Sequence, residues 1–241
     1  MRLSGKKVLI TGSGVRLGRA MALAIAQAGG DLVLHYNRSR QPAEELKAEI
    51  QAMGRQASLV QANLAEPEST VQLISQVRRL APLYALVNSA AIFDPLDLPS
   101  TTLEAWEQHF NVNLTAPFLL SQSFASLIEP DGRGRIVNIL DWRALRPGID
   151  HFPYTISKAA LAALTQSLAV ALAPSITVNA LAFGAILPPS DGAATGNILD
   201  DVPAGRWAKL AEVGEALLFL LDGPTYITGE IIHLDGGRHL I

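Results

Sequence analysis

Short apolar segments alternate with longer segments of helical periodicity along the whole chain. Six segments show helical spacing, namely residues 17–28, 42–53, 67–80, 102–128, 154–173 and 206–221. Seven others have the length and apolar content of buried strands, namely residues 7–11, 31–36, 57–62, 84–90, 135–140, 176–182 and 230–234. Strands that are apolar on both faces and alternate with helices indicate a parallel sheet covered on both sides. The sequence therefore predicts an α/β fold with a three-layer, doubly wound sheet of seven mainly parallel strands.

The composition is that of an ordinary globular domain. The chain has 241 residues, of which 49% are hydrophobic and 17% charged, and it contains no linker or repeat, so we expect a single domain over residues 1–241. A net charge of −3 with scattered basic residues argues against nucleic acid as a partner. There is no cysteine, and the five histidines lack zinc-type spacing, so no metal site is expected. Without a signal peptide or an apolar run of about 18 residues, we expect a cytoplasmic protein with no membrane contact.

One long segment interrupts the alternation after the sixth predicted strand. Residues 183–205 read "FGAILPPSDGAATGNILDDVPAG" and are rich in Gly, Pro, Asp and Ser. Loops of this length are often functional, and this one leaves the carboxyl end of a strand, where ligands bind in doubly wound sheets. We therefore expect a substrate lid at about residues 185–206, with a plain surface loop as the alternative.

The first strand runs directly into the glycine-rich segment "TGSGVRLG". Glycines 12, 14 and 18 allow a tight turn and a close backbone approach to a ligand, although their spacing is not GxGxxG. The helix that begins near Leu17 points its backbone amides at an anion such as a pyrophosphate. The position of this turn favours a dinucleotide site of Rossmann type over a simple tight connection.

The end of the second strand indicates which dinucleotide binds. Folds that bind NAD place an acidic residue there for the ribose 2′-hydroxyl, whereas this chain reads "HYNRSRQ" without an acid. Arg38, Ser39 and Arg40, together with Arg16, offer donors suited to a 2′-phosphate. The sequence therefore predicts NADPH as cofactor, with a solvated turn carrying surface arginines as the alternative.

Three ionisable residues are predicted to lie at the same edge of the sheet. Tyr154 and Lys158 are four residues apart on one helix face, where the ammonium is expected to lower the pKa of the phenol. Asp141 directly follows the fifth strand, where a buried carboxylate is costly unless it is used. The alternative for Asp141 is a turn cap that pairs with Arg143 or Arg146.

Six segments, in order and at their observed separations, resemble the short-chain dehydrogenase/reductase family along nearly the whole chain. These are "TGSGVRLG", "LVNSAA" (86–91), "NVNL" (111–114), "YTISK" (154–158), "VNALAFGAIL" (178–187) and "YITGEIIHLDGG" (226–237). The resemblance implies that Tyr154 is the general acid, that Lys158 holds the nicotinamide ribose and tunes Tyr154, and that Asn113 supports a proton-relay water. It also implies a homotetramer whose interfaces include residues 102–128, residues 154–173 and the C-terminal segment.

The resemblance also implies a cofactor site and a substrate site. The cofactor residues expected from it are Gly12, Gly14, Arg16, Leu17, Gly18, His35, Tyr36, Asn37, Arg38, Ser39, Asn63, Leu64, Asn88, Ser89, Ala90, Lys158, Gly184 and Ile186. The expected substrate residues are Phe93, Asp141, Tyr154, Phe183 and Leu187. Three positions depart from the family pattern, namely Ser89, Phe183 in place of a proline, and Asn63 in place of an aspartate.

Within the family, the chain is most similar to the pteridine reductase branch, including dihydromonapterin reductase relatives. The similarity consists of Asp141 where the wider family has serine, Arg16 in the cofactor loop, "HY-x-RS" at the end of strand two, and the aromatic Phe93 after strand four. It implies reduction of a dihydropterin, and of dihydrofolate as a further candidate, by NADPH. The alternatives are a carbonyl reductase of the wider family and a catalytically idle NADPH-binding sensor.

Overall fold

The computed structural model describes residues 2–129, 131–188 and 198–241. Within them, seven strands form one sheet in the order 3-2-1-4-5-6-7, and every pairing is parallel. The strands are β1 (Lys7–Ile10), β2 (Asp31–Tyr36), β3 (Ala57–Gln61), β4 (Ala85–Asn88), β5 (Gly134–Asp141), β6 (Ile176–Phe183) and β7 (Ile231–Leu234). The predicted fold class is confirmed, with the one refinement that the described sheet is entirely parallel.

Seven α-helices cover the described sheet. They are α1 (Arg16–Gln27), α2 (Arg40–Ala52), α3 (Pro67–Arg78), α4 (Leu103–Phe110), α5 (Ala116–Ala125), α6 (Phe152–Leu172) and α7 (Leu210–Asp222). On one face of the sheet, α1 and α7 bury residues such as Met21 and Leu217, and on the other face α3 and α5 bury residues such as Leu73 and Phe124. Both faces of the sheet are therefore covered, which explains why its strands are apolar on both sides.

The single helix predicted over residues 102–128 is divided in the structure. Helix α4 ends at Phe110, a π-helical turn spans Asn111–Thr115, and α5 begins at Ala116 with Pro117 in its first turn. Hydrophobic periodicity does not distinguish a π-turn from an α-helix, because the turn adds only one residue to the repeat. The prediction was therefore wrong about continuity, and the π-turn carries Asn113.

The strand order reverses beside β1, and this reversal creates a crevice at the carboxyl ends of the strands. Ile10 of β1 pairs with Leu34 of β2 on one side and with Val87 of β4 on the other. Farther along the same edge, the last pair of the β5–β6 ladder is Asp141 with Phe183. The topology therefore brings the glycine turn, the ends of β2 and β4, and Asp141 to one edge, where doubly wound sheets bind ligands.

Helix α6 is long and apolar enough to span a membrane by length and composition, with a mean hydropathy of 1.4 in its most apolar window. In the structure it packs against β5 and β6. It also buries Lys158 and Thr165, whose polar groups are hydrogen-bonded inside the domain. These contacts anchor one side of α6 on the sheet, and 39% of its most apolar window is buried.

Candidate active site

A cleft of about 770 Å³ opens at the carboxyl edge of the sheet. It is lined by nearly all of the predicted site residues. The exceptions are Gly14, Asn88 and Asn113, which lie behind its wall. The structure therefore brings the predicted cofactor and substrate residues into one continuous site.

The glycines of the first turn leave no room for a Cβ atom, against backbone atoms at Gly12 and Gly18 and against a side-chain oxygen at Gly14. Gly12 has φ +66°, and a Cβ atom there would lie 2.8 Å from the Cα atom of Ala90. A Cβ atom on Gly18 would lie 2.1 Å from the carbonyl oxygen of Gly12, and one on Gly14 would lie 2.7 Å from Oγ of Ser39. Gly14 thus supports the cleft by letting the end of β2 approach the turn, although it does not itself line the cleft.

His35 connects three strand ends beneath the cofactor site. Its Nδ1 accepts a hydrogen bond from the backbone N–H of Gly12 at 3.1 Å, and its Nε2 lies 3.2 Å from the carbonyl oxygen of Ala62. These contacts require the neutral tautomer with the proton on Nε2. Burial lowers the pKa of His35 to about 4, so the ring remains neutral near pH 7.

Two arginines give the cleft the positive charge expected of a site that binds a 2′-phosphate. Arg16 lines it with a left-handed backbone (φ +50°) and donates a hydrogen bond to the Pro188 carbonyl at 2.9 Å. Arg38 lines it with an exposed side chain, whereas Arg40 begins α2 and lies outside the cleft lining. Among the described lining residues, the only carboxylate is Asp141, at the opposite end from β2. The residues present therefore fit NADPH better than NADH.

Asn63, a predicted cofactor residue, is fixed by hydrogen bonds to neighbouring residues. Its amide nitrogen donates to Oε1 of Glu66 at 2.8 Å, and its Oδ1 accepts from Asn37 at 3.2 Å and from the backbone N–H of Ala65. This places the amide at the cleft wall in a fixed orientation. The departure from aspartate therefore preserves an oxygen acceptor at this position.

Tyr154 and Lys158 lie on the first turns of α6 and are both buried. Nζ of Lys158 donates to the carbonyl oxygen of Ile139 at 2.7 Å and lies 5.8 Å from the centroid of the Tyr154 ring. Burial lowers the pKa of Lys158 to about 8, and the negative charge of Asp141 partly opposes this shift. The strand β5 therefore fixes the ammonium beside the phenol.

The pKa of Tyr154 is raised well above its usual value, first by burial and then by the negative charge of Asp141. This differs from the expectation that Lys158 lowers the phenol pKa. The reason is that the carboxylate of Asp141 and the loss of solvent both disfavour the phenolate. Tyr154 therefore holds its proton at neutral pH, which is the state that a general acid requires.

Asp141 both caps a turn and faces Tyr154. Its Oδ1 accepts from the backbone N–H of Arg143 at 2.9 Å, and the Arg143 guanidinium lies 3.8 Å away. Burial nevertheless raises the pKa of Asp141, and these contacts with Arg143, together with Lys158 and Tyr154, reduce that shift. The cap predicted as an alternative therefore exists, and it orients a carboxyl group that also lines the cleft.

Asn113 is buried and does not line the cleft, but it contacts Ile92, which does. Its Oδ1 accepts from the backbone N–H of Ile92 at 3.0 Å, and its Nδ2 donates to the Ile92 carbonyl at 3.2 Å and to Oγ of Ser157 at 3.0 Å. Ser157 lies between Tyr154 and Lys158 in the sequence. Asn113 therefore ties the segment after β4 to the turn of α6 that carries Tyr154 and Lys158.

The side chain of Asn88 is committed to the core. Its Nδ2 donates to Oδ1 of Asn138 at 2.8 Å, and Asn138 in turn donates to Oγ1 of Thr165 at 2.9 Å. Asn88 is buried, and it does not line the cleft. Asn88 is thus a buried link between β4, β5 and α6, and the neighbouring Ser89 and Ala90 form the wall, while its contact with the cofactor stays a prediction.

Phe93 stands at the substrate end of the cleft and is 48% exposed. Its ring stacks on His151 with a centroid distance of 3.7 Å and meets Tyr154 edge-on at 4.6 Å. His151 has a left-handed backbone (φ +50°) immediately before α6, and its Nδ1 lies 2.9 Å from the Asp94 carbonyl. Phe93 is therefore an aromatic surface held directly beside Tyr154, the predicted general acid.

Phe183 and Leu187 line the cleft where β6 ends, as predicted. Part of the expected lid, residues 189–197, lies outside the described residues. After that segment, Val202 is buried, and the backbone N–H of Ala204 donates to the Gly236 carbonyl at 3.0 Å. The C-terminal end of the lid segment is therefore anchored on the turn after β7.

Sequence reasoning missed several apolar wall residues and one amide. Most of them directly flank predicted site residues, which is the signal that could have found them. They are Val15, Ala65, Ala91, Ile92, Gln108, Val112, Ile139 and Leu140. No group of three or more residues able to hold a metal ion occurs in residues 2–129, 131–188 and 198–241.

Known proteins are similar to this chain in both sequence and fold. Residues 14–239 match a family model described as enoyl-(acyl carrier protein) reductase. The 3-oxoacyl-[acyl-carrier-protein] reductase of Synechocystis is 33% identical over 98% of this chain and 97% of its own length. The 2-dehydro-3-deoxy-D-gluconate 5-dehydrogenase of Bacillus subtilis is 32% identical over 98% of this chain and 95% of its own length.

Solved structures give the same result. The FolM alternative dihydrofolate reductase 1 of Brucella canis, complexed with NADP, has a TM-score of 0.89 at 34% identity and covers 100% of this chain and 97% of its own. A short-chain dehydrogenase of Burkholderia cenocepacia, also with NADP, has a TM-score of 0.92 at 33% identity, over 99% of both chains.

Together, the fold, the site and these similarities define an NAD(P)-dependent oxidoreductase. The chain belongs to the short-chain dehydrogenase/reductase family, and its cofactor is NADP(H).

Proposed function

We propose that the protein reduces a dihydropterin to the tetrahydropterin with NADPH. The observation that carries this proposal is the partly buried Asp141, which faces Tyr154 and lines the cleft. A carbonyl reductase needs a neutral donor for a developing oxyanion, and a carboxylate at this position would repel that charge. Reduction of a C=N bond instead requires a proton on nitrogen, which an Asp–Tyr pair can deliver.

Each residue has a defined task in this reaction. NADPH, when bound, supplies a hydride to a carbon of the pterin ring. Tyr154 donates its proton to the adjacent ring nitrogen, so that one hydride and one proton saturate the C=N bond. Asp141, whose pKa is raised by burial, relays a proton from solvent to Tyr154 or accepts a hydrogen bond from a substrate N–H group. Lys158, fixed on the Ile139 carbonyl, holds the nicotinamide ribose.

Phe93 supports a planar heterocyclic substrate. Its ring lies beside Tyr154 and keeps about half of its surface exposed. An aromatic face at this position can stack on a pterin and bring its C=N bond to the proton donor. The Brucella canis structure described as an alternative dihydrofolate reductase fits the same substrate class.

The competing function is reduction of a ketone. The Synechocystis relative is a 3-oxoacyl-[acyl-carrier-protein] reductase, and the Bacillus subtilis relative is a gluconate dehydrogenase. Both are compatible with the Tyr154–Lys158 pair, but neither name accounts for Asp141. The two functions are separated by the chemistry at that single position.

A substrate panel tests the proposal. NADPH oxidation is followed at equal concentrations of dihydrobiopterin, dihydromonapterin, dihydrofolate, an acetoacetyl thioester and a simple ketone. We expect kcat/KM for a dihydropterin to exceed that for either carbonyl compound by at least about 100-fold. A higher value for a carbonyl compound would identify a keto reductase. NADPH binding without turnover of any compound would identify a sensor.

The proposal includes a cytoplasmic homotetramer. Phe118 on α5 is 41% exposed and Val170 on α6 is 83% exposed, although both are apolar. These helices are the ones for which the family resemblance implies subunit interfaces. Burial of such side chains against another copy of the chain would remove apolar surface from water.

A further inference from the structure

Two arginines lie beside the substrate end of the cleft, outside the residues that the proposed reaction uses. The guanidinium carbon of Arg143 is 4.9 Å from the centroid of the Trp142 ring, and that of Arg238 is 4.4 Å from it. Arg143 also reaches the cleft wall, because it lies 3.8 Å from Oδ1 of Asp141 and 5.8 Å from the Phe93 ring centroid. The Trp142 ring therefore contacts two guanidinium groups next to the proposed pterin site.

Arg238 has few partners for its degree of burial. Only 14% of its side chain is exposed, yet its guanidinium donates no hydrogen bond within the part of the chain that the structure describes. Its nearest carboxylate, that of the exposed Asp201, is 4.0 Å away. Buried donors are nearly always hydrogen-bonded, so the buried, unpartnered Nε of Arg238 indicates a missing acceptor.

Arg143 has more hydrogen-bond partners than Arg238, but one of its donors is also unused. It donates to the half-exposed Asp150 at 3.1 Å, while its Nε atom is buried without a partner. Burial lowers the pKa of Arg238, and the positive charge of Arg143 lowers it further, because two nearby cations repel each other. A bound anion that accepts from these guanidinium groups would relieve this repulsion.

We propose that Arg143 and Arg238 form a subsite that binds a carboxylate on the side chain of the substrate. This inference rests on the proposed function for the pterin itself, and it deepens that proposal by naming the substrate class: a dihydropterin with an anionic tail, such as the glutamyl group of dihydrofolate. The planar fork of a guanidinium matches a carboxylate in a bidentate geometry. The acids that face the pair are Asp141, Asp150 and Asp201, and the last two are exposed enough to turn toward solvent.

The test compares dihydrofolate with its diamide, in which both glutamyl carboxylates are replaced by neutral amides. With the wild-type protein and NADPH, we expect KM for dihydrofolate to be about tenfold lower than KM for the diamide. In Arg238→Gln this ratio should fall to about one, and Arg238→Lys should restore part of it. Arg133→Gln is the matched control, because it removes the same charge from an exposed arginine remote from the cleft and should keep the wild-type ratio.

A second measurement keeps this inference separate from the proposed reaction. p-Aminobenzoylglutamate, which carries the tail without the pterin, is titrated against tryptophan fluorescence of the NADP-loaded protein. Binding to the wild type that is lost in Arg238→Gln supports the subsite even if no pterin is reduced, in which case only the proposed function fails. Equal KM values for dihydrofolate and the diamide, or tail binding that survives Arg238→Gln, would overturn the subsite while leaving pterin reduction intact.

Discussion

The backbone N–H of Gly12 donates a hydrogen bond to Nδ1 of His35 at 3.1 Å, so the end of β2 holds the glycine turn that follows β1. The other ring nitrogen of His35 faces the carbonyl of Ala62 beyond β3. A protonated ring could not accept from Gly12. The geometry of the cofactor loop therefore depends on a neutral histidine.

Stability should fall in mild acid because of His35. Its pKa is about 4 in the folded protein and about 6.5 in the unfolded chain, so between these values the unfolded chain binds the extra proton. The contribution of neutral His35 to the free energy of unfolding is fully present above pH 6.5 and declines as the pH falls toward 4. In total it amounts to about 3 kcal/mol. Urea unfolding at pH 7.5 and pH 5 measures this change.

Replacement of His35 by Gln removes the titrating group and should reduce the loss of stability between pH 7.5 and pH 5. His151→Gln serves as a control, since it removes a partly buried histidine, 15% exposed, that does not contact the glycine turn. The same acid sensitivity in His35→Gln and wild type would contradict this account.

The Asp141→Asn variant should lose pterin reduction, because the amide keeps the shape of the side chain but cannot relay a proton. We expect kcat for a dihydropterin to fall by about 100-fold, and by more in Tyr154→Phe, which lacks the acid itself. The raised pKa of Asp141 also predicts that wild-type kcat declines as the pH rises through that pKa. That decline should be absent from the residual activity of Asp141→Asn.

Folding of both variants is checked by circular dichroism and by NADPH affinity. Asp141→Ser, which restores the serine of the wider family, should retain NADPH binding and gain activity on simple ketones. Wild-type rates of pterin reduction in folded Asp141→Asn or Tyr154→Phe would exclude the proposed mechanism.

Arg38 should determine the preference for NADPH over NADH. It lines the cofactor cleft, whereas Arg40, two residues later, lies outside that lining. Loss of a charge-assisted contact with the 2′-phosphate in Arg38→Gln should raise KM for NADPH about tenfold without a comparable effect on NADH. Arg40→Gln is the matched control and should keep the wild-type ratio of kcat/KM for the two cofactors. Equal effects of the two substitutions would show that the 2′-phosphate is bound elsewhere.

Phe93 should contribute to substrate affinity through its exposed ring. In Phe93→Leu, the apolar volume is largely kept but the aromatic face is lost, so KM for the dihydropterin should rise about five- to tenfold. Phe219→Leu on α7 is the control, because Phe219 is similarly exposed at 44% but far from the cleft. Steady-state kinetics at saturating NADPH distinguish the two variants, and an unchanged KM in Phe93→Leu would argue against stacking.

The oligomeric state can be tested at the exposed apolar residues of α6. A glutamate at Val170 would place a charge in the proposed interface, and we expect Val170→Glu to lower the molar mass measured by light scattering below that of the wild type. Val71→Glu on α3 is the control, since Val71 is 54% exposed on a helix with no predicted interface. A monomeric wild type at micromolar concentration would disprove the tetramer.

The sequence determined the fold class and most of the site because both depend on local patterns. Alternation of apolar strands and amphipathic helices predicts a parallel sheet, and the carboxyl ends of parallel strands meet at one edge. Positions in the chain therefore sufficed to assign the glycine turn, the end of β2, Asp141 and the first turns of α6 to one cleft.

Only the tertiary structure decided how these groups affect one another. Sequence spacing placed Lys158 beside Tyr154 and suggested a lowered phenol pKa, but burial and Asp141 raise it. Asn88 sits next to cleft residues in the chain, yet its side chain turns into the core to meet Asn138. The pKa of Tyr154 and the partner of Asn88 depend on distances between residues far apart in sequence and on the solvent that packing removes. A local sequence pattern encodes neither of these quantities.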